Sequence, residues 1–92
     1  MRKAKYIVIR DGLMESPVVF PEWLTHYDIA RALVGVDGIG AGLVLSAGFV
    51  EIYSDSPLGL VVECSGESTS LSLNPGKHDA LMIQKALGIG EE

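Results

Sequence analysis

Two pairs of short β-type segments, each joined by a turn, limit what this chain can fold into. In the first pair, KYIVIR at 5–10 is rich in β-branched and aromatic residues, and VVF ends a return segment at 16–20. In the second pair, LVLSAGFVEIY at 43–53 is followed by LGLVVECS at 58–65. A DG dipeptide and an SDSP segment lie between the partners and are typical of turns. The pattern predicts two antiparallel hairpins.

The alternation of apolar residues indicates which side chains share a strand face. In the first segment, Ile7 and Ile9 lie on one face and Tyr6 and Val8 on the other, so either face can be buried. In the last segment, a single face carries most of the apolar residues, namely Leu60, Val62 and Cys64.

Helical spacing replaces this alternation in two places. After Thr25, whose hydroxyl is placed to cap a helix against the backbone N–H of Asp28, apolar residues predict a helix from 26 to about 34. Gly35 ends it, and GVDGIGAG at 35–42 is interpreted as a flexible connection. A second helix is predicted over 77–87, after an Asn74-Pro75 start.

These elements predict an α+β fold. We expect a small antiparallel sheet of four or five strands with two helices on one face, in the order ββαββ(β)α. The optional strand covers 69–73. Residues 1–92 are expected to form a single domain with frayed ends at 1–4 and 88–92.

The apolar content is high for so short a chain. Of 92 residues, 48% are hydrophobic, and the mean hydropathy is +0.32, although a small domain leaves much of its surface in water. Some apolar surface is therefore expected to meet a partner. We expect a homodimer, formed by pairing of an exposed strand edge at 17–20 or 69–73.

Charge and cysteine content limit the class of partner and the cellular compartment. The net charge is −5, which disfavours nucleic acid as a partner. A lone Cys64 forms no intramolecular disulfide and favours a reducing compartment, so the cytoplasm is expected. The apolar stretch 32–50 includes Asp37 and several glycines, which argues against a membrane helix, and the first apolar run is too short for a signal peptide.

Candidates for catalysis or metal binding are few. Asp28 follows His26 by two residues, and residues two apart on a helix do not face each other. Cys64 has no cation beside it in sequence to lower its pKa, and His78 completes no metal-binding spacing. The sequence predicts no enzyme, no cofactor and no metal. The alternative is a small enzyme that uses Cys64 or His26.

The segment FPEWLTHY at 20–27 is the candidate binding site. Tyrosine and tryptophan are enriched at interface hot spots, so Phe20, Trp23 and Tyr27 are predicted to bind a partner. The competing interpretation is that Phe20 and Trp23 close the end of the core.

A second binding hypothesis uses acidic residues. It makes the protein an inhibitor of a host nucleic-acid-handling complex through a phosphate-like surface. The alternative explanation is that these acidic residues simply lie on strand faces in contact with solvent. The residues are Glu51, Asp55, Glu63 and Glu67.

Four segments resemble a group of short bacteriophage and prophage open reading frames: KYIVI, FPEWLTHYDIARAL, SAGFVEI and CSGESTSLSLNPGKHDALMI. The resemblance extends from Lys5 to Leu87, although the glycine-rich stretch 35–42 is longer here than in that group. It implies a phage or prophage origin and the cytoplasm of a host cell. The group has no assigned activity, so the resemblance implies a small accessory protein that binds a host or phage protein.

Overall fold

The computed structural model describes residues 2–55 and 59–88, and it confirms the predicted α+β fold and the order of its elements. Four strands and two helices occupy this part of the chain. They are β1 (Arg2–Asp11), β2 (Met14–Phe20), α1 (His26–Gly40), β3 (Val44–Asp55), β4 (Gly59–Ser65) and α2 (Asp79–Ala86).

The strands form one antiparallel sheet in the order β2-β1-β3-β4. The first hairpin turns at Gly12, whose φ of +66° favours glycine, and its register runs from Asp11 opposite Met14 to Lys5 opposite Phe20. β1 continues past Lys5 to Arg2 and pairs there with β3 alone. Residues 2–4, predicted to fray, are therefore the start of a central strand.

The prediction that both helices lie on one face of the sheet is wrong. Tyr6 and Ile7 are successive residues of β1, so their side chains point to opposite faces, and both are 0% exposed. The Tyr6 cluster packs against α2 and consists of Tyr6, Val8, Val50, Val62 and Ile83. The Ile7 cluster packs against α1 and consists of Ile7, Phe20, Ala30, Val44 and Ala47.

The reason lies in the apolar run YIVI at 6–9. A strand covered on both faces is continuously apolar, whereas a strand with one solvated face alternates. Both faces of β1 contact the core. The apolar residues of β1 therefore do not alternate strongly enough to indicate a single buried face. We call the two sides of the sheet the α1 face and the α2 face.

α1 begins as predicted and ends later than predicted. Thr25 Oγ1 accepts a hydrogen bond from the Asp28 backbone N–H (3.0 Å), which confirms the cap. Gly35 adopts φ 76° and ψ 169°, which kinks the helix, but helical structure continues to Gly40. The predicted connection 35–42 is therefore mostly helix, because Ile39 packs on the Ile7 cluster and Gly38 is buried.

The chain between β4 and α2 also differs from its prediction. Residues 69–73 form a turn closed by a bridge between Ser68 and Leu73, and the φ of Ser72 is +57°, a left-handed value that a strand does not contain. α2 starts at Asp79 rather than near residue 77, and Asn74 does not cap it. In the described ranges, neither helix is long and apolar enough to cross a membrane.

Candidate functional site

His26 is a buried structural residue on the α1 face. It is 3% exposed, and its ring lies edge-on between the rings of Phe20 and Phe49, with centroids 5.7 Å from each. Its Nε2 lies 2.8 Å from the carbonyl oxygen of Gly48. Because a carbonyl only accepts, Nε2 carries the proton and donates.

The surroundings of His26 keep its ring neutral. Burial lowers the pKa of His26 below 6.5, and the nearby Lys5 cation lowers it further, against an opposing effect from the hydrogen bond to Gly48. A neutral ring fixed by one donated bond joins the first turn of α1 to β3. The prediction that His26 lies at the start of the first helix was correct, but the sequence did not reveal that His26 is buried.

Cys64 lies on the other face, in a polar group that the sequence analysis missed. The Tyr6 hydroxyl donates to Asp79 Oδ2 (2.6 Å), and the Gly76 backbone N–H donates to the same oxygen (2.7 Å). Asp79 is 4% exposed. Burial and the hydrogen bond to Asp79 raise the pKa of the Tyr6 hydroxyl. No local signal could reveal a contact between residues 73 positions apart.

The thiol of Cys64 is poorly suited to act as a nucleophile. Burial raises its pKa, and the nearby Asp79 carboxylate raises it further, although its hydrogen bond with Tyr6 acts in the opposite direction. A nucleophilic cysteine needs a lowered pKa. The sheet separates Cys64 from His26, so the two candidate residues do not meet. Residues 2–55 and 59–88 contain no group of three or more His, Cys, Asp or Glu that could hold a metal ion.

The predicted binding residues occupy three different environments. Phe20 is 6% exposed and belongs to the Ile7 cluster, Tyr27 is half-buried, and Trp23 is 80% exposed. Phe20 therefore closes the core, as the competing interpretation predicted for it. Trp23 does not close the core, and it presents most of its surface to water.

A groove lies beside Trp23, with a volume of about 490 Å³. We call this groove and the exposed tryptophan the Trp23 surface. Its lining residues come from the start of β1, the end of β2 and the loop that follows: Lys3, Ala4, Val19, Phe20, Pro21, Glu22 and Trp23.

The loop that carries Trp23 is fixed at both ends. The Leu24 N–H donates to the Pro21 carbonyl (3.2 Å), which closes a turn around Trp23. The Lys5 ammonium donates to the Leu24 carbonyl (2.9 Å), and Thr25 begins α1 directly afterwards. Trp23 is thus held on an ordered turn, which limits the entropy lost when it binds.

The groove lies next to an unpaired strand edge. The pairing of β1 with β2 ends at Lys5 and Phe20, and Lys3 and Ala4 continue with β3 as their only strand partner in the described part of the chain. The ammonium groups of Lys3 and Lys5 lie 5.2 and 5.7 Å from the centre of the Phe49 ring. The groove therefore combines backbone groups, an aromatic side chain and one charged residue of each sign, Lys3 and Glu22.

Two of the four acidic residues are close to each other. Glu51 and Glu63 are directly opposite each other on β3 and β4, and Lys3 is opposite Glu51 on the other side. Glu67 lies exposed in the loop after β4, and Asp55 is the last residue of β3. Among the side chains that the structure describes, the inhibitor hypothesis therefore has one pair of opposite carboxylates, beside a lysine.

The chain matches no family model, no curated protein and no solved structure. The relationship to phage and prophage reading frames therefore stays a prediction.

Proposed function

We propose that this protein acts by binding another protein through the Trp23 surface and not by catalysing a reaction. The observation that supports the proposal is the 80% exposure of Trp23 on a loop whose backbone is fixed. The core does not require this side chain, whereas indole groups are among the commonest hot-spot residues of interfaces.

The free energy available from Trp23 is substantial. A tryptophan buries about 150–250 Å² when fully covered, so covering the exposed part removes most of that area from water. At about 25 cal/mol per Å², the gain is roughly 3–5 kcal/mol before the costs of association. One residue can therefore provide much of the affinity of a moderate complex.

The surroundings of Trp23 suit an extended partner segment. The unpaired edge of β1 at Lys3 and Ala4 provides backbone groups for a short strand, as in recognition by strand addition. The groove takes an apolar side chain, and its two charged lining residues, Lys3 and Glu22, each favour a partner residue of the opposite charge beside them. As the phage resemblance implies, the expected partner is a host or phage protein in the cytoplasm of a bacterial host.

The proposal is tested by comparing baits in a bacterial lysate. The baits are the wild-type protein, Trp23→Ala and Leu13→Ala, a control that removes a 101% exposed leucine from the β1–β2 turn. We expect a protein retained by the wild type and Leu13→Ala and bound about 30-fold more weakly by Trp23→Ala, as for a hot-spot residue. Quantitative mass spectrometry measures the ratio. Identical sets of captured proteins from all three baits would contradict the proposal.

A further inference from the structure

The two outer strands of the sheet differ in how they limit further pairing. β2 has Pro17 at its centre, and proline provides no N–H for a neighbouring strand. β4 contains no proline, lysine or arginine, and its one charged residue is Glu63. Within residues 2–55 and 59–88, no strand pairs with the outer side of β4. An edge without such features is open to another strand.

The connection that leaves β4 turns away from this edge. It crosses to the α1 face, where Leu71 and Leu73 pack against the Ile7 cluster. There the Ser70 hydroxyl accepts a hydrogen bond from the Tyr27 backbone N–H (3.2 Å). Residues 66–74 therefore pack on the α1 face, and within the described residues the outer side of β4 has no strand partner.

We propose that two copies of this chain associate by pairing their β4 strands antiparallel about a two-fold axis at Val62. The axis is perpendicular to the sheet, so the α2 faces of both copies lie on the same side. The two sheets then become one continuous sheet, and the unpaired backbone groups of both edges are satisfied. This inference goes beyond partner binding through the Trp23 surface and does not depend on it.

The residues of β4 select this register. A two-fold axis at Val62 pairs all seven residues of the strand. At one end Gly59 is opposite Ser65 of the second copy, and at the other end Ser65 is opposite its Gly59. It places Leu60 opposite Cys64 of the second copy, on the face where Val62 already belongs to the core. Leu60 is 49% exposed in the single chain, so pairing extends the Tyr6 cluster across the interface.

The two neighbouring registers are less favourable, one because of charge and the other because fewer residues pair. An axis at Glu63 would place that carboxylate directly opposite its copy, and like charges in this position are destabilising. An axis at Val61 would pair five of the seven residues, because β4 begins at Gly59. With the axis at Val62, each Glu63 is opposite Val61 of the second copy. This register therefore satisfies the most backbone groups without opposing charges.

Light scattering coupled to size-exclusion chromatography tests the association. We expect the wild type to reach twice the 9.8 kDa chain mass as its concentration rises, because one strand pair makes a small interface. Leu60→Lys places a charge in the seam and should raise the dissociation constant at least about tenfold. Leu13→Lys, which adds the same charge at a remote exposed position, should dimerise like the wild type. A wild-type protein that stays monomeric at every concentration would overturn the inference.

A disulfide tests the register. Opposite residues of antiparallel strands have Cα atoms about 4.5–5.5 Å apart, within the range of a disulfide. Leu60→Cys should therefore form a covalent dimer with the native Cys64 under mild oxidation. The wild type, in which Cys64 is opposite leucine, should not. Met14→Cys, an exposed control on β2, should also stay uncrosslinked.

A wild-type dimer in which Leu60→Cys forms no covalent link would refute the β4 interface. The capture experiment with Trp23→Ala would still test binding through the Trp23 surface in that case, because Trp23 is not on β4. A covalent dimer of Leu60→Cys, with both controls uncrosslinked, would support the proposed register and axis.

Discussion

The hydrogen bond between Tyr6 and Asp79 shows how one polar contact fixes an element. The acceptor is a buried carboxylate, and none of the described lysines, arginines or histidines forms an ion pair with it. Two donors, the Tyr6 hydroxyl and the Gly76 N–H, stabilise Asp79 Oδ2 instead. Because a buried acceptor without partners is destabilising, these bonds select the position at which α2 begins on the sheet.

Removing the Tyr6 hydroxyl should therefore destabilise the protein. We expect Tyr6→Phe to lower the free energy of unfolding by about 1–3 kcal/mol, since the carboxylate loses one donor in a buried position. Urea denaturation measures the change. Tyr27→Phe is the matched control, because the Tyr27 hydroxyl makes no hydrogen bond with the described residues, and it should change stability by less than about 0.5 kcal/mol. Equal effects from the two variants would contradict the assigned role of the bond.

Contacts between residues that are close in sequence were predictable from the sequence. The Thr25 cap was predictable because donor and acceptor are three residues apart. The exposure of Trp23 was not predictable, because the same residue could also close the core. The partner of Tyr6 was also hidden, since only the folded chain brings Asp79 to it.

The glycines of α1 show why the predicted end of that helix was wrong. Gly35 does depart from helical geometry, which matches the stop signal in the sequence. The chain nevertheless resumes a helix, because residues 36–40 have a place to pack beside the sheet. A Cβ on Gly38 would lie 2.7 Å from Val34 Cβ and 3.3 Å from Leu43 Cδ1. Gly38 therefore permits the close approach that the packing requires.

Two glycines in the same helix should respond to alanine with opposite signs. Gly38→Ala should lower the free energy of unfolding by about 1–3 kcal/mol, because the methyl group overlaps the Val34 side chain. Gly40→Ala meets no atom within 4 Å and should raise it by about 0.4–1 kcal/mol, because alanine restricts the unfolded chain.

Thermal and urea unfolding of both variants, compared with the wild type, give the two values. If Gly38→Ala were as stable as Gly40→Ala, α1 beyond Gly35 would not pack as described.

For the whole molecule, the strand order along the chain was predictable, but the use of both sheet faces was not. Period-two alternation locates strands, whereas the face that a helix covers depends on contacts such as Ile83 with Val62 and Ala30 with Ile7. The two-sided sheet also accounts for part of the high apolar content. A strand buried on both faces requires apolar residues at successive positions. The homodimer inference therefore rests on the open edge of β4 and not on hydropathy.

The stability of the whole molecule should depend on pH through His26. In the folded chain the pKa of His26 lies below 6.5, chiefly because of burial, whereas in the unfolded chain it has its ordinary value of about 6.5. As the pH falls through that value, the unfolded state takes up a proton that the folded state does not. The stabilisation is fully present above pH about 6.5 and is lost progressively below it, by at most about 1.4 kcal/mol per pH unit.

Urea denaturation at several pH values between about 7.5 and 5.5 measures this dependence, in a range above most carboxylate pKa values. The wild type should lose stability as the pH falls through this range, by no more than about 1.4 kcal/mol per pH unit. His26→Gln can still donate to the Gly48 carbonyl but has no titrating group, so its stability should stay nearly constant whatever its absolute value. If the unfolding free energy of His26→Gln changed with pH as much as that of the wild type, His26 would take up its proton equally in the folded and unfolded states. That result would contradict the burial of its ring between Phe20 and Phe49.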